Sequence, residues 1–265
     1  MHATRRIAHA ARLIAVIAAA AALSACDVVV SSLDAKGRAQ DQWTRSYPMA
    51  AGGQVEIVNT NGSIDIVGSE GSQVEVVAER TARAMTDEEA KSFLAQIEIG
   101  EEVSANRVRL ETKAPGVQGR RIEVKYHIKV PASVNVRMQN SNGTVDIVAI
   151  KGTVRAETSN GTVRGRELTG AIEASTTNGS VRLDVDAVAA GGIRAETVNG
   201  TVELTMPSSA KADVQASCLN GRISVDGLKL EGGEVTRRRV EGRVNGGGPR
   251  VVIDTTNGKV QITGK

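Results

Sequence analysis

Apolar and polar residues alternate one for one along most of this chain, and the alternation is broken repeatedly by the same pair, asparagine followed by glycine. The copies read "VNTNGSIDI", "QNSNGTVDI", "ETSNGTVRG", "STTNGSVRL", "ETVNGTVEL", "SCLNGRISV" and "DTTNGKVQI". Aligned on Asn61, Asn142, Asn160, Asn178, Asn199, Asn220 and Asn257, every copy carries Val or Ile six residues before the asparagine and Val or Ile three residues after it. Four before stand Ile57, Met138, Ala156, Ala174, Ala195, Ala216 and Ile253; two before stand Asn59, Asn140, Thr158, Thr176, Thr197, Cys218 and Thr255. Five after, the apolar column is broken only by Gly165. A period of two on both sides of a turn predicts strands with one buried face.

The asparagines of the central block are 18, 18, 21 and 21 residues apart, and self-similarity at that period marks a stacked repeat. The expected fold is therefore all-β: a β-solenoid, a stack of 18–21-residue coils, turning at "RELTGA" and "LDVDAVAAGG" as well as at each Asn-Gly. Each asparagine lies an even number of residues from the valine and alanine columns that precede it, which predicts that it points inward with them and bonds the asparagine of the next coil. Glycine supplies the backbone freedom such a corner needs. Separate hairpins are the alternative, because Asn-Gly between alternating runs also favours a type I′ turn. The small alanine column and the matched copies favour stacking.

Outside the repeats the pattern changes. "TDEEAKSFLAQI", 86–97, predicts one short helix, with Thr86 as cap, Glu89 as its partner, and Ala90, Phe93, Leu94 and Ile97 on one face. It is flanked by the alternating runs "QVEVVAERTARA", "NRVRLETK" and "RIEVKYHIKV", so the 81 residues between Asn61 and Asn142 form an insertion at one end of the stack. Near the other end "RRRVEGRVNGGGPR" interrupts the period. Residues 27–48 are polar and aperiodic, which predicts a tether and entry segment over 26–48 and a folded domain over 49–265.

The first 25 residues have a different character. Arg5, Arg6 and Arg12 precede a short Ala-, Leu- and Ile-rich run, too short to span a bilayer, with small residues at its end. This is the layout of an export signal. Leu23-Ser24-Ala25-Cys26 resembles the lipobox of bacterial lipoproteins. That resemblance implies cleavage after residue 25, lipid attachment at Cys26 and a cell-envelope location, periplasmic or surface-facing. Asp27 favours the inner membrane by the rule of enteric bacteria. The chain holds 33 basic and 30 acidic residues; losing the three leader arginines leaves 30 of each. Nucleic acid, which rewards a basic surface, is excluded as a partner. With Cys26 acylated, Cys218 is the one remaining cysteine, so neither an intramolecular disulfide nor a cysteine-rich metal site is expected.

Residues 45–265 resemble a bacterial envelope family of β-strand-repeat adhesins, known as domain of unknown function 4097. The resemblance rests on "SYPMAAGGQVEIVNTNGSIDI", "DEEAKSFLAQIEI", "KVPASVNVRMQNSNGTVDI" and "GGGPRVVIDTTNGKVQITG", in that order. It implies a solenoid-like all-β fold, with "adhesin" a label given by analogy and no site to carry over.

No convergent set of catalytic groups stands out. His127 is the one histidine left after processing and lies in an alternating run. The outward positions Arg137, Arg155, Glu173, Arg194 and Gln215, and Asp146, Arg164, Arg182, Glu203 and Ser224, mix signs as a solvated face does. Thr144, Thr162, Ser180 and Thr201 form a hydroxyl column, and Arg237 to Arg239 lie in a Gly-rich loop beside Glu234 and Glu241. Neither a cofactor nor a metal is expected. The expected function is a lipid-anchored, non-enzymatic envelope protein that presents a solenoid to a protein or glycan. A regulatory or envelope-stress lipoprotein contacting a membrane protein is the alternative, and a glycan-active β-helix enzyme the third.

Overall fold

The computed structural model describes residues 29–30, 37–114 and 122–265; the leader and Cys26 lie outside them. The strands are β1 (Val29–Val30), β2 (Arg38–Pro48), β3 (Gln54–Asn61), β4 (Ile64–Ser69), β5 (Gln73–Arg83), β6 (Glu98–Ser104), β7 (Arg107–Lys113), β8 (Ile122–Pro131), β9 (Asn135–Asn142) and β10 (Val145–Val148). They continue as β11 (Val154–Asn160), β12 (Val163–Leu168), β13 (Ile172–Asn178), β14 (Val181–Val185), β15 (Ile193–Met206), β16 (Ala212–Asp226), β17 (Leu230–Val235), β18 (Arg239–Val244) and β19 (Arg250–Gly264). The helix α1 (Asp87–Leu94) follows β5.

Each coil has two arms that meet at the Asn-Gly corner. The first arms stack in the order β7, β3, β9, β11, β13, β15, β19, β16, all parallel. The second arms stack as β8, β4, β10, β12, β14, β15, β19, β16, also parallel. The fold is the expected all-β solenoid. The apolar columns of both arms are buried in one shared core, from Val55 and Ile57 to Val260 and Ile262. At the position of Gly165 the core stays filled, because Glu167 takes a positive φ of 56°, the register shifts, and Leu168 swings its side chain over the glycine.

The corner is held by three ladders running along the stack. Outermost, each asparagine amide donates to the Oδ1 of its neighbour: Asn142 to Asn61 (2.8 Å), Asn160 to Asn142 (3.0 Å), Asn178 to Asn160 (3.0 Å) and Asn199 to Asn178 (2.9 Å). Asn257 then donates to Asn199 (2.8 Å) and Asn220 to Asn257 (2.9 Å). In the backbone, each glycine N–H donates to the asparagine carbonyl of the next coil, as Gly161 does to Asn178 (3.0 Å). Innermost, the buried residue two before the asparagine donates to the glycine carbonyl of the adjacent coil: Thr176 to Gly161 (3.0 Å), Thr197 to Gly179 (3.0 Å), and Cys218 to Gly258 (3.5 Å) through its weaker thiol. The glycines are required chiefly by this close approach. A Cβ on Gly179 would overlap the carbonyl oxygen of Gly161, and the same clash recurs along the column.

Three expectations are corrected. The asparagines do not point inward: all but the partly covered Asn61 are exposed. The strand pairing passes from Thr158 directly to Asn160 and leaves Ser159 unpaired with the register kept, so alternation resets at the corner and parity cannot be counted across it. Coil order in space is also not coil order in sequence. β19 lies between β15 and β16, and β7 with β8 stacks on β3 and β4 from the side opposite β9 and β10. The strand that presents Val251, Ile253, Val260 and Ile262, all at most 1% exposed, takes the interior place, while Ile223 and Val225 of β16 are only half-buried at the end. Lastly, residues 38–48 are not tether. They form β2, paired antiparallel with β5 from Arg38 opposite Arg83 to Pro48 opposite Gln73. Backbone pairing rather than side-chain burial makes this strand, and only Ala39 and Tyr47 in it are buried.

Both ends of the stack are closed by antiparallel pieces, which blunts exposed edges. At one end β6 pairs with β7, β5 with β8, and α1 packs on β2 and β5. The helix is shorter than the 86–97 expected, ending at Leu94, with Thr86 accepting from the Glu89 amide and Ala90 and Leu94 buried. Arg80 ties this end together, bonding Asp41 twice (2.8 and 2.5 Å) and the Ile97 carbonyl (2.7 Å). At the other end β18 pairs with β16 and β17 with β18. Tyr126 of β8 is fully buried, and its hydroxyl meets Thr112, which donates to Asn59. Burial pushes the Tyr126 phenol up to about 12, and the Thr112 bond and Arg80 offset only part of that.

Two predictions follow from the corner and the core. Asn178→Ala removes two exposed ladder bonds and should cost about 0.5–1.5 kcal/mol, whereas Gly179→Ala forces backbone apart and should cost about 1–3 kcal/mol or more. Urea midpoints should rank the glycine variant below the asparagine variant. The Tyr126 phenol ionises near 10 when unfolded and near 12 when folded, so its stabilising contribution is complete below pH 10 and is lost as pH rises to 12. Tyr126→Phe should therefore show a shallower fall in stability across that window, by about 2–3 kcal/mol, in urea titrations at pH 9 to 12.

Candidate functional site

The kink before each asparagine has a consequence on the outer surface. Where the chain turns, the residues at the ends of the first arms form a trough that runs across the strands. It is lined along β11, β13, β15, β19 and β16, and its volume is about 690 Å³. At about 4.8 Å per strand these five strands make a run of about 19 Å. Thr176, Thr197, Thr255 and Cys218 form the floor, their polar atoms already bonded to the glycine carbonyls. Ser175, Glu196, Asp254 and Ser217 line one side, and Thr177, Val198, Thr256 and Leu219 the other.

The second side carries the apolar character. Val198 is 43% exposed and Leu219 63% exposed, two strands apart with Thr256 between them. The opposite side is acidic: Asp254 accepts from Ser217 (2.5 Å), and Glu196 pairs with Arg194 of its own strand. The tip of the β17–β18 hairpin closes one end. There the carbonyls of Arg238 and Arg237 accept from Cys218 N–H (2.9 Å) and Ile223 N–H (2.8 Å), covering part of the β16 edge. Arg238 and Arg239 line the trough, and Arg239 pairs with Glu241 at 3.4 Å. The arginine run that the sequence reading left as a solvated loop is thus the structural stop of the trough. Position −1 of the repeat was not singled out in the sequence, although "TVNGT" and "CLNGR" show apolar residues there.

The other candidates lie elsewhere. Cys26 is outside the described residues. In the ladder of Asn61, Asn142, Asn160, Asn178, Asn199, Asn257 and Asn220, the last five stand on the strands that line the trough, next in sequence to its −1 position, while Asn61 on β3 and Asn142 on β9 lie beyond it. Beyond the ladder a smaller depression, about 420 Å³, is lined by Thr201, Glu203, Arg222, Ser224, Lys259 and Gln261. The hydroxyl column of Thr144, Thr162, Ser180 and Thr201 is half-buried and is continued in space by Lys259 and Arg222. The outward charges pair across coils, Arg155 with Glu173 (2.7 Å) and Arg182 with Glu203 (3.2 Å).

Two charge clusters sit near the helix end. Glu56 is nearly buried and meets Arg107 (2.8 Å) and Arg109 (3.5 Å). Burial works to raise its carboxyl, but these guanidinium groups and Arg137 outweigh it and hold Glu56 below the usual carboxylate range. His127 Nδ1 lies 3.2 Å from Asp65 on the outer face. Burial raises the Asp65 carboxyl and Asp146 on the adjoining strand adds repulsion, while His127 offsets part of both. These groups clasp neighbouring strands on a flat face. Among the described residues no group of three or more His, Cys, Asp and Glu is placed to hold a metal, and no helix is long and apolar enough to cross a membrane.

No curated protein matches the chain. Among solved structures, a protein assigned to cell adhesion from Clostridium sporogenes is 16% identical with a TM-score of 0.42, covering 84% of this chain and 100% of its own. An assigned adhesin from Bacteroides fragilis is 13% identical with a TM-score of 0.39, covering 84% and 97%. A protein assigned to lipid binding from Parabacteroides distasonis is 9% identical with a TM-score of 0.32, covering 83% and 96%. The family model that matches, Toastrack DUF4097, extends over residues 48–263. This span takes in the coils, α1 and the β17–β18 hairpin and begins at the last residue of β2, and the chain belongs to that family.

Proposed function

We propose that this protein is a lipid-anchored component of the cell envelope that carries out no chemical step and binds a protein partner along the trough. The observation that carries the reading is the trough itself. It is an open channel crossing five strands, with two exposed apolar side chains on one side, carboxylates on the other and arginines at its end. Such a channel suits an extended peptide segment, whose side chains fall alternately to the two sides. A glycan would be better served by aromatic platforms, and Trp43, Tyr47, Phe93 and Tyr126 all lie at the helix end, away from the trough. The lipobox-like Leu23-Ser24-Ala25-Cys26 supports attachment to a membrane.

Two measurements check this. Cys26→Ala should move the protein from the membrane pellet to the soluble fraction and abolish incorporation of labelled palmitate; an unchanged distribution overturns the anchoring. Leu219→Asp, at an exposed site, should leave the urea midpoint within about 0.5 kcal/mol of the parent. The same variant should weaken binding to isolated envelope fractions at least tenfold. Protease treatment of those fractions should remove the binding, whereas glycosidase treatment should not. The reverse pattern would make the partner a glycan.

A further inference from the structure

The chain that leads to Cys26 is short where it counts. β1 lies antiparallel against β2, Val30 opposite Ala39 and Val29 opposite Gln40. Three Cα steps separate Val29 from Cys26, a reach of at most about 11 Å. A lipid on Cys26 would therefore hold the β2 end of the stack against the bilayer, with no room for a free tether.

The surface at that end has the chemistry of a lipid-facing patch. Arg38 and Arg83 stand directly opposite each other on β2 and β5, both exposed. Like charges in that position repel, and among the described residues neither forms an ion pair with a carboxylate. Met85, two residues beyond Arg83, is 71% exposed, the most exposed large apolar side chain described. The Ala84 amide bonds the Gly37 carbonyl (2.9 Å), which keeps Met85 beside the point where the chain enters β2. Of the nearby acids, Asp87 accepts from the Arg38 amide (3.2 Å) and Glu89 from the Met85 amide (3.0 Å). Glu88 remains exposed, one turn from exposed Lys91.

Resting on the lipid-anchor reading, we propose that Met85, Arg38 and Arg83 form a membrane-contact patch, Met85 entering the headgroup layer and the arginine pair taking lipid phosphate between them. The stack then stands upright on the bilayer. Nine strand steps separate β2 from β16, about 43 Å at about 4.8 Å per step, so the β17–β18 hairpin and the end of the trough that it closes lie farthest from the lipid.

The test uses the full lipidated chain in vesicles of phosphatidylethanolamine and phosphatidylglycerol. The remaining native thiol, Cys218, is 3% exposed, so Met85→Cys and Lys229→Cys can each be labelled with a fluorophore. Nitroxide placed on the lipid headgroups should quench the Met85 probe at least threefold more than the Lys229 probe. Arg38→Glu with Arg83→Glu, made in the Met85→Cys chain, should bring the two probes level. Protein that floats with the vesicles but quenches equally at both positions, or more at Lys229, overturns the patch and leaves the anchor standing. Protein that does not float overturns the anchor and the patch with it.

Discussion

The structure depends on the backbone of one coil passing within contact distance of the next at the Asn-Gly corner. No side chain fits there, which is why glycine recurs, and once the coils are that close their polar groups must be bonded to one another. Buried carbonyls left without partners would each cost on the order of 1–3 kcal/mol. The threonine column answers that need from inside the core, and the asparagine column adds a second set of bonds on the outside. Each asparagine donates toward the helix end and accepts from the hairpin end, so the amide dipoles run head to tail along the stack. Bonds aligned in this way polarise one another.

That regularity explains which features could be read from the sequence. Alternation within an arm identified the buried faces, and Val154, Ala156 and Thr158, for example, are each at most 6% exposed. Alternation across the corner misled, because Ser159 drops out of the pairing and the pleat restarts at Asn160. Coil order was beyond reach for a related reason. The columns of β15, β16 and β19 match one another equally well, so the pattern cannot say which strand lies between which. The extent to which Val251, Ile253, Val260 and Ile262 outweigh their counterparts in β16 is visible only once the place is known. β2 was hidden because it is made by backbone bonds to β5, which leave no periodic trace in the side chains. The trough went unseen because its distinguishing residues, Val198 and Leu219, occupy the one repeat position that belongs to neither face.

The two ends differ in kind, and the difference bears on function. Any stack of coils exposes a core cross-section at each end, and this protein closes each with antiparallel strands. The helix end receives the chain from its entry point, carries α1 and the aromatic residues, and is braced by Arg80 between Asp41 and the Ile97 carbonyl. At the hairpin end the edge is covered through main-chain bonds to Arg237 and Arg238, and of the apolar side chains of β17 and β18 only Val240 and Val244 are buried. Stability is expected to be lower where fewer apolar groups are fully covered.

Such a difference suits the proposed anchorage at the helix end. An element that stands on a surface needs its rigid contacts near the attachment, where any lateral force on the far end acts with the longest lever. An element that receives a partner benefits from give at the contact, since side chains and a hairpin tip can adjust without disturbing the stack. The parallel pairing between these ends is continuous, and β19 strengthens it at the point of greatest demand by bonding along nearly its whole length to both β15 and β16. Separating the hairpin end from the coils would break the pairing of β16 with β19 over both arms and the corner between them. The last strand in sequence, placed between β15 and β16, therefore joins the hairpin end to the rest of the stack.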